Sequence, residues 1–293
     1  MDLATQSRTA YGVAIRRASH QLYEQPPLVL NDPVAVPILG PSAADRLEEA
    51  RLAFDEPGNV VLRAWLVARS RYAEDKLAEA VAGAYGNPVT QYVLLGAGLD
   101  TFAHRNPHPS LRVFEVDHPA TQAWKRQLAD DAALPHPPSL TYAPCNFEHE
   151  SLPTQLAAAG FDPAAPTLFA LLGVVMYLTL PAFRDTLSFI AARPPGSGLV
   201  FDYSQPHSVL STRERIGREL LAARVARAGE PFQLHFTPPE AAHELNAQAE
   251  FFNLEDLGAY ELNSLYFANR PDVPGKPKLQ LFGQSARLLS AWL

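Results

Sequence analysis

Tyr92-Val93-Leu94-Leu95-Gly96-Ala97-Gly98-Leu99-Asp100-Thr101 decides how this chain is read. A short apolar run ends in Gly-Ala-Gly. A strand that closes this way lets the backbone turn tightly and approach a ligand where a Cβ would obstruct it. In a dinucleotide-binding loop a third glycine follows three residues after the second, where helix packs on strand. Thr101 stands at that position. By itself such a loop is a weak sign of a nucleotide-type site, and a nicotinamide dinucleotide fits it less well.

Outward from this stretch the texture repeats. Val89–Leu95, Leu111–Val116, Ser139–Ala143, Thr167–Leu171 and Gly198–Tyr203 read as strands. They are apolar almost throughout, as strands covered on both faces of a parallel sheet are. Thr121–Ala132, Leu152–Gly160 and Pro181–Ala192 read as helices between them, which implies a doubly wound α/β sheet. Arg213–Arg227 predicts a further helix, while Phe251–Leu254 and Leu279–Leu289 predict two last strands separated by the loop Asn269–Pro277. No repeat or linker divides the chain. The expectation is one domain, with residues 1–85 a helical extension packed on an α/β core of residues 86–293.

In the predicted helix Val60–Ala84, Leu62, Leu66, Ala73 and Leu77 share one stripe. Arg69, seven residues after Leu62, lies within about 20° of it, whereas Arg71 points the opposite way. An arginine on a core-facing stripe must be paired or must snorkel to solvent. After the next strand, Glu115 and Asp117 stand two apart and so face the same side. An acid about 20 residues beyond a glycine loop, at the end of the second strand, accepts hydrogen bonds from ribose hydroxyls.

Composition narrows the function classes. The 293 residues carry 24 Lys+Arg against 31 Asp+Glu, a net charge of −7, with 47% hydrophobic residues. That excludes a disordered chain and argues against a broad nucleic-acid footprint, which needs a basic surface. A single cysteine, Cys145, offers neither an internal disulfide nor a thiolate metal site. The longest apolar run, Thr167–Leu180, has 14 residues, short of the ~20 that span a bilayer. Met1–Ala18 lacks the apolar region of a secretory signal. A cytoplasmic protein without membrane, metal or nucleic-acid partners is expected. His104 and His108 have a helical metal-ligand spacing, but Pro107 and Pro109 break any helix there. Hydrolase-elbow, Walker and His-Glu-x-x-His motifs are absent.

Taken in order, Ala68-Arg69-Ser70-Arg71, Leu95-Gly96-Ala97-Gly98-Leu99-Asp100-Thr101, Phe114-Glu115-Val116-Asp117-His118-Pro119 with Lys125, and Leu172-Gly173-Val174-Val175-Met176-Tyr177-Leu178-Thr179 resemble the leucine carboxyl methyltransferase family, in particular its bacterial branch. Phe201-Asp202-Tyr203, Gly229-Glu230-Pro231 and the segment from Tyr266 to Asp272 also fit. The resemblance implies a class I methyltransferase (Rossmann-like) sheet of seven strands, the last antiparallel, with a helical N-terminal cap. It implies S-adenosyl-L-methionine as cofactor. Arg69 would meet the methionine carboxylate, with Arg17 a second contact from the cap. Gly96, Ala97, Gly98 and Asp100 would line the cofactor, and Asp117 would hold the ribose, ahead of Glu115. Asn146-Phe147 and Leu172 complete that set, although relatives usually carry an aspartate at the first position and many an acid at the last. Asparagine keeps an acceptor oxygen at the adenine without the charge.

The catalytic group is not nominated by the sequence. A carboxylate acceptor is already ionised at neutral pH, whereas a phenol needs a base. With no clear base in view, O-methylation of a small molecule is expected, a carboxylate ahead of a phenol or hydroxyl. Tyr177 and Tyr203, after the fourth and fifth strands, either shape the acceptor pocket or pack as half-buried aromatics. Two other readings stay open: a catalytically silent module that binds the cofactor or S-adenosylhomocysteine, and an NAD-dependent oxidoreductase. The oligomeric state is not legible.

Overall fold

The computed structural model describes residues 7–147, 149–227, 229 and 231–293; Glu230 of the Gly229-Glu230-Pro231 match lies outside them. Among the described residues four α-helices precede the sheet: α1 (Arg8–Tyr23), α2 (Ala43–Glu49), α3 (Arg51–Phe54) and α4 (Pro57–Val81). Pro57 opens α4 in the first turn, where no intrahelical acceptor awaits its missing N–H. The helix ends just before Gly83, whose φ of +81° suits a glycine stop.

The sheet contains β1 (Gln91–Leu95), β2 (Arg112–Asp117), β3 (Leu140–Pro144), β4 (Thr167–Leu171), β5 (Gly198–Ser204), β6 (Phe252–Leu257) and β7 (Ala286–Trp292), in the order β3-β2-β1-β4-β5-β7-β6. β1 to β5 run parallel, and β7 is antiparallel to both its neighbours. This is the expected seven-stranded sheet with its last strand reversed. The helices α5 (Pro119–Asp131), α6 (Leu152–Ala158) and α7 (Leu180–Ala191) join the parallel strands. Later come α8 (Thr212–Ala226), α9 (Pro238–Asn246) and α10 (Ala259–Tyr266); the sequence reading did not anticipate the last two.

The unbroken apolar texture of β1 has a direct cause. Tyr92 and Leu94 enter a core with Ala64, Ala68 and Tyr72 of α4, while Val93 and Leu95 enter another with Phe183, Leu187 and Ile190 of α7. Both faces are covered, so alternation with polar residues disappears. A third core, with Ala14, Ala18, Ile38, Leu47 and Phe54, joins the N-terminal helices to Leu99 of the glycine loop and Ala129 of α5. The stripe expected on α4 is narrower than what the helix buries. Of the stripe, Leu66, Ala73 and Leu77 are buried and Leu62 is half-buried, while Arg63, Val67 and Tyr72 are also enclosed, because α4 packs against α1 as well as against β4 and β5.

One strand is displaced from its expected position. The Leu279–Leu289 segment pairs only from Ala286 onward, running on to Trp292. β5 offers seven partners, from Ser204 opposite Ala286 to Gly198 opposite Trp292, and that register sets the strand. Leu279 and Leu281 are buried as loop residues instead. The Asn263 side chain bonds both the N–H and the carbonyl of Leu281, replacing a strand partner. Among the described residues no helix is long and apolar enough to cross a membrane.

Candidate functional site

Strand order reverses between β1 and β4, where the connections depart to opposite sides. Open α/β sheets bind ligands beyond the strand ends at such a point. A cavity of about 520 Å³ opens there, within the usual range for small-molecule sites. Its lining includes Arg17, Arg69, Gly96, Ala97, Gly98, Asp100, Asp117, Asn146, Phe147, Leu172 and Tyr177. Eleven residues singled out from sequence thus meet on one cavity, and Glu115 and Tyr203 do not. The lining also takes in Ala10, Val13 and Ala14 of α1, which the sequence reading passed over. Their spacing with Arg17 (10, 13, 14, 17) is one helical face, so the signal was present but carried no chemistry of its own.

The glycine loop is shaped by the end of β2. The N–H groups of Gly96 and Ala97 both donate to the Val116 carbonyl, at 2.8 and 3.1 Å. Gly98 donates to the Asp117 carboxylate at 2.6 Å. Gly96 has φ +69°, and a Cβ there would stand 2.5 Å from Val174 Cγ2. A pyrophosphate site needs free amides at a helix N-terminus. Here those amides are occupied, and the loop leads into a four-residue 3-10 turn, Phe102–Arg105. The Asp100 carboxylate already accepts from the Phe102 N–H at 2.7 Å. With Asp100 filling that place, the turn fits a pyrophosphate less well.

Asp117 is held by two backbone donors, Gly98 and His118, the latter at 2.7 Å. Burial raises its proton affinity, and the two N–H groups oppose that rise. Glu115 corrects the sequence expectation. It lies on the same side of β2 but is fully buried, and Lys125 of α5 closes on it at 2.5 Å. Burial pushes the Glu115 carboxyl up to about 7 against the pull of Lys125. The carboxylate is sealed beneath α5, off the cavity lining.

Arg69 faces inward and Arg71 outward, as the helical wheel requires. Arg71 is paired with Asp75 on the surface. Arg69 lines the cavity and bonds Asp202 of β5 through Nη1 at 3.0 Å. The inward cation therefore has a protein partner before any ligand arrives, and no sequence signal linked the two. Arg17 is held more tightly still. It donates to Asp100 at 2.8 Å, to Asp32 at 2.7 Å and to Thr101 Oγ1 at 2.8 Å. Burial works against its charge, but Asp100 and Asp32 outweigh that and raise its pKa. Burial likewise opposes the charge of Asp100, yet Arg17, Lys125 and Arg105 hold its carboxyl down at about 2. Thr101 is in effect the third-glycine position reassigned: its hydroxyl belongs to this network, donating to Asp32 at 2.7 Å.

Beyond β3, Cys145, Asn146 and Phe147 form another wall. Burial pushes the Cys145 thiol up to about 11, so it stays protonated and serves as apolar lining rather than as a nucleophile. After β4 the wall continues through Leu172, Gly173, Val174, Tyr177 and Leu178. Tyr203 corrects the even choice left by the sequence. It is fully buried against Phe201 and Phe236, and its hydroxyl donates to Asp256 of β6 at 2.6 Å. Its side chain belongs to the core that includes Ala241 and Leu245 of α9 and is absent from the cavity lining.

Comparisons with known proteins give the family. A leucine carboxyl methyltransferase family model matches residues 10–191, which span α1 through α7. A Bacillus subtilis protein named "Putative S-adenosyl-L-methionine-dependent methyltransferase YktD" is 38% identical over 212 residues, covering 70% of this chain and 67% of its own length. A Mycobacterium tuberculosis protein of the same general name is 32% identical over 240 residues, covering 78% and 66%. The match thus spans about two thirds of these relatives' own length. The crystal structure of a "putative methyltransferase" from Thermobifida fusca shares the fold, with a TM-score of 0.59 at 17% identity over 99% of this chain and 96% of that one. By its matched residues and its fold, the chain belongs to the leucine carboxyl methyltransferase family, and its cofactor is S-adenosyl-L-methionine.

Proposed function

We propose that this methyltransferase modifies an oxygen of a small molecule, a carboxylate in preference to a phenol or alcohol. The cavity offers what the cofactor needs at each end. In this reading Arg69 on the cavity lining meets the amino-acid carboxylate, Asp117 accepts from the ribose hydroxyls, and Asn146 and Phe147 flank the adenine. The cofactor supplies an electrophilic methyl group on a sulfonium. The chain's own work is to position the acceptor in line with it and to keep water out.

The single observation that carries the acceptor class is the wall after β4. Leu172, Gly173, Val174, Tyr177 and Leu178 bring no carboxylate, imidazole or amine to the cavity. A neutral phenol or alcohol must lose a proton as it reacts; that wall has nothing suited to taking it, and His118, an imidazole elsewhere on the lining, already accepts from the Ala120 N–H through Nδ1 at 3.2 Å. A carboxylate is already an anion and gains nucleophilicity in an apolar setting. Screening acceptors with labelled cofactor tests this. The expected result is methyl ester formation from carboxylic acids, at a rate nearly level between pH 6 and 8. A rate that climbs tenfold per pH unit with a phenolic acceptor would reverse the assignment.

A further inference from the structure

We propose that Asp202 is a positioning residue for methyl transfer, fixing the arginine that anchors the cofactor and the turn that walls the acceptor with one carboxylate. The proposal rests on the reading of Arg69 as the partner of the cofactor's amino-acid carboxylate.

Asp202 lies in β5 with no exposure. A buried carboxylate persists only where its oxygens are satisfied. Three donors satisfy this one. Oδ2 accepts from Arg69 Nη1 at 3.0 Å and from Trp65 Nε1 at 3.3 Å, both on α4, and Oδ1 accepts from the Gly173 N–H. Arg69 and Gly173 are both on the cavity wall, reached from opposite directions in the chain. Gly173 has φ +74°, and a Cβ there would stand 2.7 Å from Arg69 Nη1. The guanidinium is thus confined between the Gly173 backbone and Asp202, with the cavity as its open side. The same turn leads into Val174 and Tyr177, so a displacement of Asp202 moves the anchor and the acceptor wall together.

Asp202→Asn is the discriminating change, because charge and geometry fail at once while volume is kept. Whichever way the amide turns, its NH₂ group meets a donor: the Gly173 N–H on one side, or Arg69 and Trp65 on the other. Calorimetric titration with S-adenosylhomocysteine and with 5′-methylthioadenosine, which keeps the nucleoside and lacks the amino acid, reads the effect. S-adenosylhomocysteine binding is expected to weaken at least tenfold and 5′-methylthioadenosine binding less than twofold. In an Arg69→Ala background the same change is expected to add less than twofold. Equal loss for both ligands marks a merely structural residue and overturns the proposal, as does unchanged or tighter S-adenosylhomocysteine binding. Should Asp202→Asn not fold, Trp65→Phe removes a donor to Asp202 without touching Arg69 or the cavity lining, and a selective loss of S-adenosylhomocysteine binding over 5′-methylthioadenosine is required of it. Binding of neither nucleoside by the wild-type protein removes the cofactor reading itself, a result separate from these.

Discussion

Arg17 of α1 and Asp100 of the glycine loop are joined at 2.8 Å, across 83 residues of chain. The bond ties the helix that walls the cavity to the loop that floors it. Asp32 and Thr101 share the same guanidinium, and Arg105 reaches Asp32 at 3.2 Å. Replacing one member of a buried charge network strands the others, at a cost of about 3–5 kcal/mol. Arg17→Met should therefore lose about that much stability in urea unfolding and weaken S-adenosylhomocysteine binding as α1 loosens. A loss below about 1 kcal/mol would show that Arg105 alone suffices for both carboxylates.

The same pair makes a pH prediction. Asp100 titrates at about 2 in the folded chain against an ordinary 3.8. A depressed carboxyl contributes stability that is fully present above pH 4 and is lost as the pH falls toward 2, about 2 kcal/mol in all. Asp100→Asn should flatten the acid limb of the stability curve between pH 4 and 2. An acid limb of unchanged steepness in that variant would assign the slope to other carboxylates.

Asp117 should matter to the nucleoside alone. Gly98 and His118 already orient its two oxygens, so Asn in its place keeps one acceptor and turns the other into a donor facing an N–H. A charge-assisted hydrogen bond contributes about 1.5–3 kcal/mol. Asp117→Asn should weaken S-adenosylhomocysteine and 5′-methylthioadenosine alike, by about tenfold or more. This common loss is the opposite of the selective one expected at Asp202, and titrating both ligands separates the two.

Glu115 and Tyr203 supply the negative controls. Tyr203→Phe removes a hydrogen bond to Asp256 and should cost about 1 kcal/mol of stability with cofactor affinity unchanged. Glu115→Gln leaves Lys125 buried without its anion and should destabilise the fold more strongly. In that variant the affinity of whatever fraction remains folded should match wild type. A tenfold affinity change in either variant would place these side chains at the ligand after all.

Arg69→Ala and Arg71→Ala test the helix face itself. The first should lose most of the S-adenosylhomocysteine affinity and the second none, because Arg71 is a solvent-exposed partner of Asp75. Equal losses in a titration would contradict the placement of the cavity against α4.

Five parallel strands, the glycine turn and the direction of Arg69 were legible in the sequence because each is a local matter. Strands covered on both faces are apolar at every position, glycine marks where the backbone must turn, and a 100° step assigns a residue to a face. What only the tertiary structure decided is which side chains close on one another from far apart. Glu115 and Asp117 look equivalent by strand periodicity; Lys125, arriving from α5, seals one and leaves the other at the cavity. Arg69 meets Asp202 across 133 residues, and the Tyr203 hydroxyl meets Asp256 of β6 across 53. The strand expected from Leu279 begins at Ala286 because β5 sets its register. Periodicity reports the environment of a residue along its own element. Pairing between elements depends on how the sheet and helices come together, and no local pattern encodes it.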